Sequence, residues 1–241
     1  MTTSHTLPTN GSPDAAAPAS APPTRRVTDA PTRLFHWLFA LCFAGAYLTA
    51  DGERLRLVHV TLGYTLAGLL TFRLLYGLYG PRSMGLAALW GKVAQAPSWW
   101  RSVRAFATRQ PGAPTWTPLQ RQTENLAMGV TIVAVLLTVL PLTLSGYATF
   151  NDWGGEWLED LHEATGELML ALVLAHLGLL LLLSGLRRKN QALPMWSGRL
   201  PGRGPDLVKH NRTWLAAVLM AAVLGYWGWE FVQALALNTH T

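Results

Sequence analysis

His162 and His176 stand fourteen residues apart within one apolar run. At about 1.5 Å and 100° per residue, fourteen residues advance about 21 Å and return to nearly the same helix face. One helix would therefore present two imidazoles at two depths of a bilayer. Ionisable side chains inside a membrane are costly and by default mark a functional site. His36 and His59 lie near the ends of two other apolar runs. Four intramembrane histidines at two levels have the number and chemistry to hold two haems, each ligated by an imidazole from above and one from below.

The rest of the chain has to position them. Of its 241 residues, 50% are hydrophobic and 13% charged, with eleven tryptophans and a mean hydropathy of +0.22. A soluble domain carries roughly 25% charge, so the composition points to an all-α, polytopic membrane protein. Five apolar runs read as transmembrane spans, at about Leu34–Ala50, Leu57–Tyr79, Leu126–Phe150, Leu158–Leu186 and Trp214–Leu237. Each approaches or exceeds the ~20 residues a bilayer requires, and Pro141 predicts a kink in the third. The expected architecture is a four-helix transmembrane di-haem bundle plus a fifth, C-terminal transmembrane helix. Residues 1–27, rich in Ala, Pro and Thr, read as a disordered tail; 28–198 form the bundle, and 199–241 a basic linker and the extra helix. The first 24 residues lack the basic start and apolar stretch of a secretory signal, so the first span is expected to act as an uncleaved anchor.

The pI near 9.9 does not indicate nucleic acid, because the basic residues flank apolar runs rather than forming a nucleic-acid motif. Cys42 is the only cysteine. With no CxxCH, haem cannot be attached covalently, and with no cysteine cluster the chain cannot hold an iron–sulfur centre.

Counting Lys and Arg gives the orientation. The N-terminal flank, the loop between spans two and three, and the segment between spans four and five hold sixteen of the nineteen. The loop after span three carries Asp152, Glu156, Glu159 and Asp160 without a base. This asymmetry places the N-terminus in the cytoplasm and the C-terminus in the periplasm. His36 and His176 then fall at the cytoplasmic level, and His59 and His162 at the periplasmic level. The basic residues that set the orientation are independent of the histidines it pairs. His176 has about ten apolar residues below it, whereas His36 follows Arg33 by three. The fourth span must therefore tilt or project past the first, unless Arg33 sits deep. Arg33 and Arg73 are candidate partners for haem propionates, as charge-assisted pairs; for Arg73, snorkelling to the cytoplasmic interface is an equal alternative. Gly63 and Gly166 each follow a histidine by four residues, where a missing side chain would admit a flat macrocycle or a neighbouring helix. Between residues 86 and 107, Trp90, Trp99, Trp100 and Phe106 alternate with Lys92, Arg101 and Arg104, which predicts a helix lying in the cytoplasmic interface.

These residues also carry a family resemblance. Arg33-Leu34-Phe35-His36-Trp37, His59-Val60-Thr61-Leu62-Gly63-Tyr64, and Leu161-His162-Glu163 followed by His176 resemble motifs of the superfamily uniting bacterial di-haem cytochrome b561 proteins and the cytochrome b subunits of nickel–iron hydrogenases. The resemblance spans about residues 26–198. It implies two non-covalent haems b with bis-histidine ligation, His36 with His176 and His59 with His162, and a site without catalytic residues of its own. It implies an inner-membrane electron carrier between a quinone pool and a redox partner protein, such as a c-type cytochrome or a dehydrogenase or hydrogenase subunit. Hydrogenase-type subunits tend to open the third span with Gly-His-Asn-Pro; here the segment reads Thr123-Glu124-Asn125-Leu126-Ala127. Two other readings stay open, a superoxide:quinone oxidoreductase and a haem-free structural or transport protein.

Overall fold

The computed structural model describes residues 23–238; the tail expected over 1–27 lies outside the described residues as far as residue 22, as do His5 and His240. The first element among the described residues is β1 (Thr24–Arg26). Eight helices follow: α1 (Ala30–Leu48), α2 (Arg56–Tyr79), α3 (Leu86–Val93), α4 (Ala96–Ala107), α5 (Trp116–Phe150), α6 (Glu156–Arg187), α7 (Leu193–Ser197) and α8 (Thr213–Asn238), with β2 (Arg199–Pro201) between the last two.

Among the described residues, four helical stretches are long and apolar enough to cross a membrane: Glu53–Tyr79, Trp116–Phe150, Glu156–Arg187 and Thr213–Ala236. The first expected span, now α1, is not among them. It is a helix of only 19 residues, and its first two turns hold Arg33 and His36. At 35 and 32 residues, α5 and α6 are about 50 Å long, well beyond a hydrocarbon core of about 30 Å. The length of α6 past His176 accommodates the depth mismatch with α1. The overhanging ends are joined by an ion pair between buried Glu124 and Arg187, and Gln120 Nε2 donates to the other Glu124 oxygen at 2.8 Å.

The overhang of α5 also carries α3 and α4. Trp99 Nε1 donates to Thr123 Oγ1 at 2.8 Å, and Gly129 lies so close to Lys92 that a Cβ would meet the lysine Cβ at 2.8 Å. The single helix expected over 86–107 is two helices instead. Pro97 explains the break: its ring collides with the carbonyl four residues earlier, that of Val93, where α3 ends.

One core joins the bundle to the C-terminal helix. Phe35, Leu38, Phe39, Cys42 and Phe43 of α1 meet Leu66 and Leu69 of α2, Val139 and Leu142 of α5, Met169 of α6, and Leu219 and Val223 of α8. Trp227 Nε1 of α8 donates to Thr65 Oγ1 of α2 at 2.9 Å. α6 makes extensive backbone contact with α5 and little or none with α1 or α2 among the described residues, which leaves a slot on that side.

The ends of α1, α2 and α8 meet at Asp29. It is fully buried and caps α1 by accepting from Thr32 N at 3.2 Å. Tyr76 OH donates to its second oxygen, and Arg212 Nη1 donates to Tyr76 at 3.2 Å. β1 pairs antiparallel with β2, Arg25 opposite Leu200. The Gly198 carbonyl accepts from Val27 N at 2.9 Å and Thr28 N at 3.2 Å. Gly198 takes a positive φ of 76°, and a Cβ there would stand 2.8 Å from the Thr28 oxygen, so glycine is required. Asp29→Ala removes a cap and a charge-assisted bond together and is expected to cost about 3 kcal/mol, with Tyr76→Phe costing less. Unfolding in mixed micelles, followed by circular dichroism, measures both.

Candidate functional site

The upper histidines lie against each other across the slot. His59 of α2 and His162 of α6 have ring centroids 6.0 Å apart at an interplanar angle of 82°. His59 Nδ1 is 2.8 Å from the Ala46 carbonyl oxygen, near the end of α1. His162 Nδ1 is 3.0 Å from the Leu142 carbonyl oxygen of α5. A carbonyl only accepts, so each Nδ1 must carry a proton, which leaves Nε2 as the nitrogen free to act as a ligand. Metal-ligating histidines are characteristically oriented in this way. With metal–nitrogen bonds of about 2 Å and each ring centre about 1 Å behind its nitrogen, two imidazoles on opposite sides of one metal have centres about 6 Å apart.

The seat of His162 is built by residues 141–146 of α5. Leu142 supplies the carbonyl, Ser145 Oγ lies 3.5 Å from Nδ1, and Gly146 makes room for the ring. A Cβ on Gly146 would stand 2.7 Å from His162 Cε1. The sequence reading credits this stretch only with a kink at Pro141, through which α5 runs on as one helix. The signal that marks the seat is a Ser-Gly pair within an apolar span, where small residues admit a close neighbour.

Gly63 and Gly166, with both histidines, line a cavity of about 530 Å³. Nothing lies within 4 Å of a Cβ placed on Gly63, and only Leu142 Cδ1, at 3.9 Å, near one on Gly166. These two glycines therefore face open space rather than a packed helix. Aromatic Phe43, Tyr64, Tyr147 and Phe150 form part of the wall, and Asp51, Glu53, Arg56, Glu159, Glu163 and Glu167 stand around it.

The second pair comes from α1 and α6. His36 of α1 and His176 of α6 are close enough to interact electrostatically. His36 Nδ1 is buried without a hydrogen-bond partner among the described residues. Arg33 Nη1 donates to the Trp196 carbonyl at 3.1 Å, and Arg73 Nη2 donates to the Met84 carbonyl at 3.0 Å. Arg33 thus ties α7 to α1, and Arg73 ties the segment after α2 back to that helix. Each also keeps one buried nitrogen unpaired among the described residues, Nε of Arg33 and Nη1 of Arg73.

Among the described residues, no group of three or more His, Cys, Asp or Glu side chains is placed to hold a metal ion. A group that brings its own donors, as a haem does, would need only one or two imidazoles from the protein. The model of the prokaryotic cytochrome b561 family matches residues 27–198, well over half of the chain.

The chain belongs to this family. Membership makes it a membrane cytochrome b of electron transfer and implies that it binds haem b. The match begins at Val27, three residues after the start of β1, and ends at Gly198, the glycine that closes the turn against Thr28; α8 lies outside it. No curated protein and no solved structure matches the chain.

Gly146→Ala is expected to push the His162 ring out of its seat and lower the haem retained on purification. Gly178→Ala, on a part of α6 where a Cβ meets nothing within 4 Å, should keep the wild-type content. Pyridine haemochrome quantitation measures both.

Proposed function

We propose that the chain is an integral-membrane di-haem cytochrome b that moves electrons between a quinone pool and a redox partner protein. His59 and His162 would hold one haem b, and His36 and His176 the other. The observation that carries this reading is the upper pair: two imidazoles at a metal-bridging separation, each with Nδ1 committed to a main-chain carbonyl. The open space at Gly63 and Gly166 supports a flat ligand between α2 and α6. The unpaired buried nitrogens of Arg33 and Arg73 support a second anionic group at the lower level, because a buried donor without an acceptor is expensive and a propionate oxygen would relieve it.

Bound between two histidines, a haem supplies one-electron transfer with no open coordination site for oxygen. The residues do the rest. The main-chain carbonyls fix both upper rings and raise their donor strength. The apolar wall from Phe43, Leu66 and Leu142 keeps the dielectric low, which tunes a potential.

In this reading α1 crosses the membrane with the four longer candidates, giving five spans. The charge asymmetry supports a cytoplasmic N-terminus and a periplasmic C-terminus in the inner membrane. The acids around the upper cavity outnumber Arg56. Such a rim repels superoxide, which favours the relay over the superoxide-oxidising alternative.

A dithionite-reduced minus air-oxidised spectrum with pyridine haemochrome quantitation should give two haems b per chain, reducible by a ubiquinol or menaquinol analogue. One haem per chain would remove the di-haem relay. No haem would favour the structural or transport alternative.

A further inference from the structure

The start of α8 carries a feature that electron transfer leaves unused. Arg26 of β1, Lys209 to Arg212, and Thr213 and Trp214 line an open groove of about 560 Å³. No carboxylate is among these lining residues. Asp206, the acid of the same segment, accepts from the Arg26 main-chain N–H at 2.5 Å.

The groove is held from several sides. The Leu207 N–H donates to the Arg26 carbonyl at 2.9 Å, and the Ala30 N–H donates to the Asn211 carbonyl at 3.1 Å. Arg26 Nη1 donates to the Lys209 carbonyl at 3.4 Å. The Arg212 guanidinium is fixed 5.9 Å from the centre of the Tyr76 ring. Lys209 and His210 are exposed. Arg26, Lys209 and Arg212 thus bring three basic residues to the lining of one open groove.

Where the groove lies decides what it fits. It opens at the head of α8, one of the helices long and apolar enough to span a bilayer. The first turns of that helix expose Trp214 (68%) and Val218 (56%). Tryptophan favours the headgroup level of a membrane, and basic pockets beside transmembrane helices bind anionic headgroups. A free phosphate would use the cations and leave the apolar face unused, whereas a phospholipid would use both.

We propose that this groove binds the phosphate headgroup of an anionic phospholipid, with an acyl chain lying along Trp214 and Val218. The inference rests on α8 crossing the bilayer and is independent of the haem assignment.

The test is native mass spectrometry of the full chain in detergent, titrated with phosphatidylglycerol or phosphatidylcholine, with haem absorbance recorded on every sample. One phosphatidylglycerol is expected to be retained in preference to phosphatidylcholine. Lys209→Gln should weaken that retention about fivefold, the worth of one cation near a charged surface, and Lys209→Arg should restore it. Lys189→Gln, at an exposed lysine outside the groove, should change nothing. Equal retention of the two lipids, or an equal loss in Lys189→Gln, would overturn the proposal. Inorganic phosphate at millimolar concentration is expected not to displace the lipid; displacement would overturn the lipid assignment in favour of free phosphate. A preparation with no haem that still prefers phosphatidylglycerol would sink the electron-transfer reading and leave this one standing.

Discussion

The slot beside α6 exists only if its helices are held at a fixed register without closing on each other. α6 meets that constraint by packing on α5 and leaving its other side open to α1 and α2. α5 does more than brace it. The Leu142 carbonyl orients His162, and Gly146 gives the ring room. α5 thus positions the imidazole that α6 brings against His59 of α2. The Ala46 carbonyl of α1 does the same for His59, taken from the helix end where carbonyls lack intrahelical donors.

At the end of the bundle away from His59 and His162, neighbouring helices are fixed by polar contacts built on the buried carboxylates of Asp29 and Glu124. Asp29 binds the cap of α1, Tyr76 of α2 and, through Tyr76, Arg212 ahead of α8. Glu124 and Arg187 join the overhang of α5 to that of α6. α8 lies outside the family match, but it enters the same core through Leu219 and Val223. It is packed as part of the bundle rather than attached beside it.

The adjacency of His59 and His162 was legible because helical rise is uniform: counting residues from a charge-defined boundary gives depth. The ends of α5 and α6 were not. Apolar runs mark only what lipid covers, while α5 begins ten residues before Leu126 because α3, α4 and Arg187 cover its polar first turns. The break at Pro97 was written in the sequence and outweighed by the aromatic and basic pattern around it. Gly146 was illegible for another reason. A glycine facing a ring on a different helix has no local periodicity, and the Ser-Gly pair says that a neighbour can come close without saying which one. Arg33 and Arg73 are candidate propionate partners from the sequence, with snorkelling an equal alternative for Arg73; each first satisfies a main-chain carbonyl, of Trp196 and of Met84, which no spacing rule announces.

The central claim is the pairing of histidines across the slot, and electron paramagnetic resonance of the oxidised protein tests it most directly. Two low-spin ferric signals are predicted in the wild type. His59→Ala and His162→Ala should abolish the same signal, and His36→Ala and His176→Ala the other. Loss of different signals within either pair, or of both signals from one substitution in an otherwise folded protein, would contradict it.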